Sequence, residues 1–268
     1  MTQSSALLEI KNVGMVYESE RSETIPAITD INLKIEKGEF ICILGPSGCG
    51  KSTLLKIIAG YQFPSNGEVF YDGEKVTGPS WDRGVVFQSP TLYPWLSVKE
   101  NVGFGPKVRG LNKDIIEKTS LRLLQEVGLE EHRDKAVFEL SGGMKQRVAL
   151  ARVLANQPQM ILMDEPLGAL DALTRLNMQG LIRDLWQQTK NTIIMITHDV
   201  DEALSLGTRL LVMSPQPGTI EKSYEIDFTY SAQSKNNHRV KVDAEYLSLK
   251  DEILDIINIA AQKELNKA

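Results

Sequence analysis

Glu39-Phe40-Ile41-Cys42-Ile43-Leu44 is an apolar run behind a single acid, and Gly45-Pro46-Ser47-Gly48-Cys49-Gly50-Lys51-Ser52 stops it. From Lys51 the pattern KSTLLKIIAG turns helical and ends at Gly60. The order is strand, glycine turn, helix, and the turn matches G-x-x-x-x-G-K-[ST], which acquires meaning only in that setting. Glycines let backbone N–H groups converge on phosphate oxygens, and the helix N-terminus adds donors and a positive dipole. Gly45 through Thr53 is thus a candidate polyphosphate cradle. Lys51 is placed to neutralise β- and γ-phosphate charge, and the Ser52 hydroxyl to ligate Mg²⁺.

Working outward, Leu7 to Tyr17 and Ala27 to Ile35 alternate apolar and polar residues, as half-buried antiparallel strands do, with the polar stretch from Glu18 to Thr24 joining them. Pro64 to Ser80 reads as short strands and turns, and Gly84 to Gln88 as a further apolar run. Asn112 is a good N-cap for a helix carrying Ile115, Ile116, Leu123, Leu124 and Val127 and ending at Gly128. Then follow a helix from about Ser141 to Asn156, a strand from Met160 to Asp164, and a helix opened by Asp171 that carries Leu173, Leu176, Leu181, Ile182 and Leu185. Strand Thr192 to Thr197, a short helix around Asp201 to Leu206 and strand Arg209 to Ser214 complete the alternation of a parallel α/β sheet. Tyr230 to Asn237 reads as a loop, and Leu249 to Leu265 as an amphipathic helix.

The 268 residues, 42% hydrophobic and 24% charged, fit one large domain or two small ones and exclude disordered, collagenous and disulfide-scaffold classes. A net charge of −5 without any basic run argues against a nucleic-acid partner. No apolar stretch approaches the roughly 20 residues of a membrane span. The N-terminus shows no secretory signal, so the expected location is the cytoplasm. Cys42 and Cys49 suggest neither metal nor disulfide.

Asp164 and Glu165 follow the apolar Met160 to Met163, at a strand tip where ligands collect in open parallel sheets. Asp164 suits Mg²⁺ held through water; Glu165 suits a general base acting on water that attacks a γ-phosphate. Leu140-Ser141-Gly142-Gly143-Met144-Lys145-Gln146-Arg147 opens another helix with a serine and two glycines, a second set of free donors along a dipole. A phosphate loop needs no such partner in its own chain.

Here the sequence resembles the nucleotide-binding subunit of ATP-binding cassette (ABC) transporters, whose signature reads LSGGQ or LSGGM, over Leu7 to Ile220. The resemblance implies an α/β P-loop NTPase with a RecA-like, mostly parallel core, an antiparallel β-subdomain and a helical subdomain insert. Residues 1–225 would form the ATPase domain, with the insert at about 89–157, and residues 226–268 a C-terminal extension. It matches Tyr17 to the aromatic that stacks on adenine, Gln88 to the Q-loop glutamine and metal site, Asp171 to the D-loop, and His198 to the switch histidine. The cofactors implied are ATP and Mg²⁺. The signature of one copy, Ser141-Gly142-Gly143, would close over the phosphate loop of a second, with Lys51 and Gln88 beside Glu165 and His198 at the γ-phosphate.

Between Gln88 and the helical insert, Ser89 to Val98 is rich in large apolar groups, among them Tyr93 and Trp95. They either pack inside the subunit or form a groove for a helix of a membrane partner. Together with Arg83 to Gln88 and Glu100 to Gly105, this segment is similar to importers of the nitrate, sulfonate, taurine and bicarbonate group. That similarity implies transmembrane permease subunits, an extracytoplasmic solute-binding protein acting through them, and a seat on the inner membrane face. The rival readings are importers of another solute, a soluble P-loop kinase, a DNA-repair ATPase and a regulatory module that binds ATP without hydrolysis.

Overall fold

The computed structural model describes residues 6–18, 24–231 and 242–265. Strands β1 (Leu8–Glu18), β2 (Thr24–Ile35), β4 (Asn66–Tyr71) and β5 (Glu74–Lys75) form an antiparallel sheet in the order β2-β1-β4-β5. The second sheet contains β3 (Phe40–Leu44), β6 (Arg83–Val86), β7 (Met160–Asp164), β8 (Thr192–Ile196), β9 (Arg209–Met213) and β10 (Ile220–Glu225), in the order β10-β9-β3-β8-β7-β6. It is parallel except for β10, which pairs antiparallel with β9.

The apolar runs of this sheet reflect burial on both faces. Ile41 and Ile43 of β3, Leu162 of β7 and Ile194 and Ile196 of β8 face one core, which they share with β1, β2 and helix α1 (Lys51–Ala59). Phe40, Cys42 and Leu44 face the other, with Ile161, Met163, Ile193 and Met195. Helices α4 (Gly142–Leu154), α5 (Ala172–Thr189) and α6 (Val200–Leu206) cover that second face. Helix α1 is thereby sandwiched between the two sheets, and the phosphate loop that precedes it hangs from the centre of the parallel sheet.

The helical insert contains α2 (Val98–Val108) and α3 (Lys113–Glu126), and α3 is capped by Asn112, whose side chain accepts from Asp114 N. The helical pattern of α2 is masked in the sequence because Gly103, Gly105 and Pro106 are poor helix formers. Its signal was the Ser97-x-x-Glu100 capping box: Ser97 Oγ accepts from Glu100 N at 3.2 Å and Glu100 Oε2 from Ser97 N at 2.8 Å. A Cβ at Gly103 would stand 2.8 Å from Ile116 Cγ2, so the glycine permits close α2–α3 packing.

Two expectations need correction, while Ile115, Leu173 and Leu176, apolar residues carried by α3 and α5, are 52%, 70% and 48% exposed because these helices bury only one narrow stripe. Tyr230, assigned to a loop, lies in the short helix α7 (Phe228–Ser231); residues 232–237 of that stretch fall outside the described residues. The terminal helix α8 (Ala244–Leu265) starts five residues before Leu249, through Ala244, Glu245 and the buried Tyr246. Strand β10 was also unread, since an exposed edge strand has no apolar alternation to announce it.

Candidate active site

Six of the predicted residues, Lys51, Ser52, Gln88, Asp164, Glu165 and His198, meet at the carboxyl ends of β3, β6, β7 and β8. Gly48 and Gly50 turn the phosphate loop at φ +80° and +94°, the left-handed region that glycine enters without penalty. A Cβ on Gly50 would also come within 2.3 Å of Ile28 Cγ2, so the β1–β2 sheet holds the loop from behind. Lys51, almost wholly buried, points its ammonium back into the loop, donating to the carbonyls of Gly45 and Pro46 at 2.8 Å each. Cys49 Sγ lies 3.7 Å from the same nitrogen.

Ser52, on the first turn of α1, donates its hydroxyl to Asp164 Oδ1 at 3.0 Å. Burial pushes the Asp164 carboxyl above the usual carboxylate range, against the lowering effect of the Ser52 bond. Lys51 and Lys56 lower this carboxyl less than burial raises it, so holding it ionised calls for further positive charge. A divalent cation shared with a polyphosphate would supply it, so the donors fit Mg²⁺, which takes few protein ligands and keeps waters.

Glu165 is held at φ +45°, a left-handed conformation uncommon outside glycine, while its amide donates to Ile196 O at 3.0 Å. This twist separates its direction from that of Asp164. Oε2 of Glu165 accepts from Gln88 Nε2 at 3.2 Å and lies 3.6 Å from His198 Nδ1. Gln88 therefore sits beside Glu165, and no bond links it to Ser52 or Asp164. Tyr17 stands at the rim, its hydroxyl 3.2 Å from both Thr53 Oγ1 and Gln62 Oε1. Gln62 was not foreseen, because nothing in its local sequence marks it.

The signature is elsewhere in the protomer. Ser141 caps α4, accepting from Met144 N at 3.3 Å, and Gly142 has open space where a Cβ would stand. Helix α4 packs on β6 and α2, and its buried Gln146 donates to Phe87 O at 3.3 Å. Strand β6 is three places from β3 in the sheet, about 14 Å at the usual strand spacing. Helix α4, which Ser141 and Gly142 open, thus packs at the β6 edge of the sheet, three places from the strand that carries the phosphate loop. Asp171 caps α5, accepting from Thr174 N at 3.0 Å, and that bonding holds its carboxyl below the usual range.

In the apolar loop, Tyr93 is half-buried against Phe104, with centroids 4.4 Å apart, whereas Trp95 is 74% exposed. The loop is open to solvent at its tip.

Residues 28–168 match the family model described as ABC transporter. The chain is 50% identical over 250 residues to the taurine import ATP-binding protein TauB of Roseobacter denitrificans, with 93% of each chain covered. Against the protein of that name from Pseudomonas aeruginosa the identity is 46% over 258 residues, 96% of this chain and 98% of that one. Among solved structures, a dimeric ATP-binding cassette in a post-hydrolysis state bound to ADP and Pi superposes with a TM-score of 0.73. That structure is 34% identical and is matched over 82% of this chain and 99% of its own. Another is cbiO1 of Clostridium perfringens, part of an ABC transporter complex, at a TM-score of 0.75 and 27% identity over 97% and 99% of the two chains. The chain belongs to the ABC transporter family. It is that family's ATP-binding cassette, an ATPase.

Proposed function

We propose that this ATPase energises an importer of taurine or a closely related sulfonate, working as a homodimer docked on separate membrane subunits. The geometry that carries the reading is the separation of the two anion sites. One protomer holds Lys51, Ser52, Asp164, Gln88, Glu165 and His198 together, while its Ser141-Gly142-Gly143 donors face outward across the sheet. A head-to-tail second copy supplies the missing donors, so each ATP is enclosed by two chains. Dimeric cassettes among the similar structures support this arrangement.

In the closed site the γ-phosphate displaces the two neutral carbonyls that Lys51 now contacts, since an anion is the stronger partner for an ammonium. Ser52 and Asp164 would hold Mg²⁺, which when bound spreads the charge of the β- and γ-phosphates. Glu165 orients and deprotonates the attacking water, while Gln88 and His198 both meet its Oε2 and leave Oε1 to the water. Tyr17 offers its ring to the adenine. Residues 1–225, with the insert at 89–157, carry this machinery, and residues 226–268 form a C-terminal extension whose described helix α8 lies against α6. The exposed Trp95 and half-buried Tyr93 receive the membrane subunit, which seats the chain on the inner membrane face. Among the described residues no helix is long and apolar enough to cross a bilayer.

The similarity to taurine import ATP-binding proteins supports taurine as the imported solute. The test is uptake of labelled taurine by cells carrying this chain with its own membrane and binding subunits, with and without Glu165→Gln. Uptake that the substitution abolishes supports the reading. Absence of taurine uptake, with uptake of nitrate instead, overturns the choice of solute.

A further inference from the structure

Helix α6 starts two residues after His198, so the placement of this short helix sets where the imidazole stands against Glu165. Its inner side is anchored within the ATPase body. Asp199 caps it, accepting from Glu202 N at 3.1 Å, and the buried Glu202 accepts from Thr197 Oγ1 at 2.6 Å. Arg175 of α5 spans the D-loop and this turn, donating to Leu170 O at 3.2 Å and standing 3.7 Å from Asp199 and 3.6 Å from Glu202.

Its outer side is held by the C-terminal extension. Tyr246 donates its hydroxyl to Asp201 Oδ1 at 2.9 Å, and Lys250 donates to Oδ2 of the same carboxylate at 2.8 Å. Positions 246 and 250 are one helical turn apart on α8, so both reach one acceptor from one face. Helix α8 is a firm base for this grip. Ile253 is fully buried, Tyr246 stacks edge-on against Phe228 at 5.2 Å, and Glu252 accepts from Lys222 at 2.9 Å and from Tyr224 at 2.7 Å on β10. Surface ion pairs contribute little to stability singly. Two charge-assisted bonds converging on one carboxylate, three residues from the switch histidine, make better sense as orientation.

The geometry points to Tyr246 and Lys250 as positioning residues for hydrolysis: through Asp201 they hold α6, and with it His198, in register with Glu165. This rests on the proposed role of His198. It assigns the C-terminal extension a task, tuning turnover from outside the catalytic cluster.

The test uses the full-length chain assembled with its membrane subunits, in the variants Tyr246→Phe, Lys250→Ala and Lys250→Arg. Tyr246→Phe keeps the ring against Phe228 and deletes only the donor. The expected result is a fall in kcat of about three- to tenfold with KM for ATP and the thermal midpoint unchanged, and recovery in Lys250→Arg. A second readout needs no activity. In a ¹H–¹³C spectrum of the histidine rings of the isolated chain, the His198 signal, identified by its loss in His198→Ala, shifts in Tyr246→Phe while that of His132 stays. Wild-type kcat and an unmoved His198 signal in both Tyr246→Phe and Lys250→Ala overturn the positioning role alone. Wild-type turnover in His198→Ala overturns the reading of His198 itself, and the inference with it.

Discussion

Gln88 donates its side-chain amide to the Oε2 oxygen of Glu165 at 3.2 Å, the same oxygen that faces His198 Nδ1 at 3.6 Å. A carboxylate held by a donor on one side keeps its second oxygen for water. Glu165→Gln preserves the shape of this arrangement and removes the base. ATP should bind as in the wild type, phosphate release should fall by about 10²- to 10⁴-fold, and the chain should accumulate as a dimer with ATP. Phosphate assays and size-exclusion chromatography with and without ATP check this; wild-type turnover would remove Glu165 from the mechanism.

Asp164→Asn should act with opposite sign on stability and on activity. Burial leaves the folded-state pKa of Asp164 above its unfolded value, so the folded protein holds this proton more tightly. Stability from that group is present at low pH and is lost as pH rises through the folded pKa. An uncharged amide still accepts from Ser52 and escapes the penalty. The nucleotide-free variant should therefore melt slightly higher than wild type at pH 7, with the gap narrowing on acidification, while Mg²⁺-dependent hydrolysis is lost. Thermal scans from pH 4 to 8 decide it, and a lower midpoint at pH 7 counts against the burial argument.

Gly142 and Gly143 are chemically alike and should fail differently. A Cβ on Gly143 would stand 2.5 Å from Thr174 Cγ2, so Gly143→Ala strains the protomer. A Cβ on Gly142 meets nothing within its own chain, and alanine favours a helix start over glycine. Gly142→Ala should melt no lower than wild type yet lose about 10²-fold in ATP turnover, since its neighbour is a nucleotide held by another copy. Unchanged turnover in a well-folded Gly142→Ala would contradict the two-chain site.

Trp95→Ala should separate docking from chemistry. The side chain is largely solvent-exposed, so its removal should change stability by about 0.5 kcal/mol or less and leave the basal ATPase of the isolated chain intact. Co-purification with the membrane subunits should be lost. Normal assembly would return the apolar loop to a purely internal packing role.

Much of this molecule could be read from residues alone, for identifiable reasons. The strand ending at Leu44 and the loop to Ser52 were legible because their periodicity breaks at the glycines, and the caps Asn112, Ser141 and Asp171 each stand where their helices start. Helix α2 was hidden by its glycines and proline, and β10 by its exposure on an edge. The pairing of Gln88 with Glu165 could not be read from spacing, because 77 residues separate them and only the left-handed turn at Glu165 aims one at the other. Gln62 shares that character, since its partner Tyr17 is 45 residues away, and so do the ion pairs of Arg175 with Asp199 and Glu202.

The separation of the signature helix, at the β6 edge, from the phosphate loop after β3 also implies a genetic behaviour. Damage to the phosphate loop and damage to the signature fall on the same pocket when they reside on different copies. In a mixed pair, one pocket collects both lesions and the other is built wholly from sound halves. Two genes, each dead by itself, one bearing Lys51→Ala and the other a bulky replacement at Ser141, should restore partial growth when expressed together.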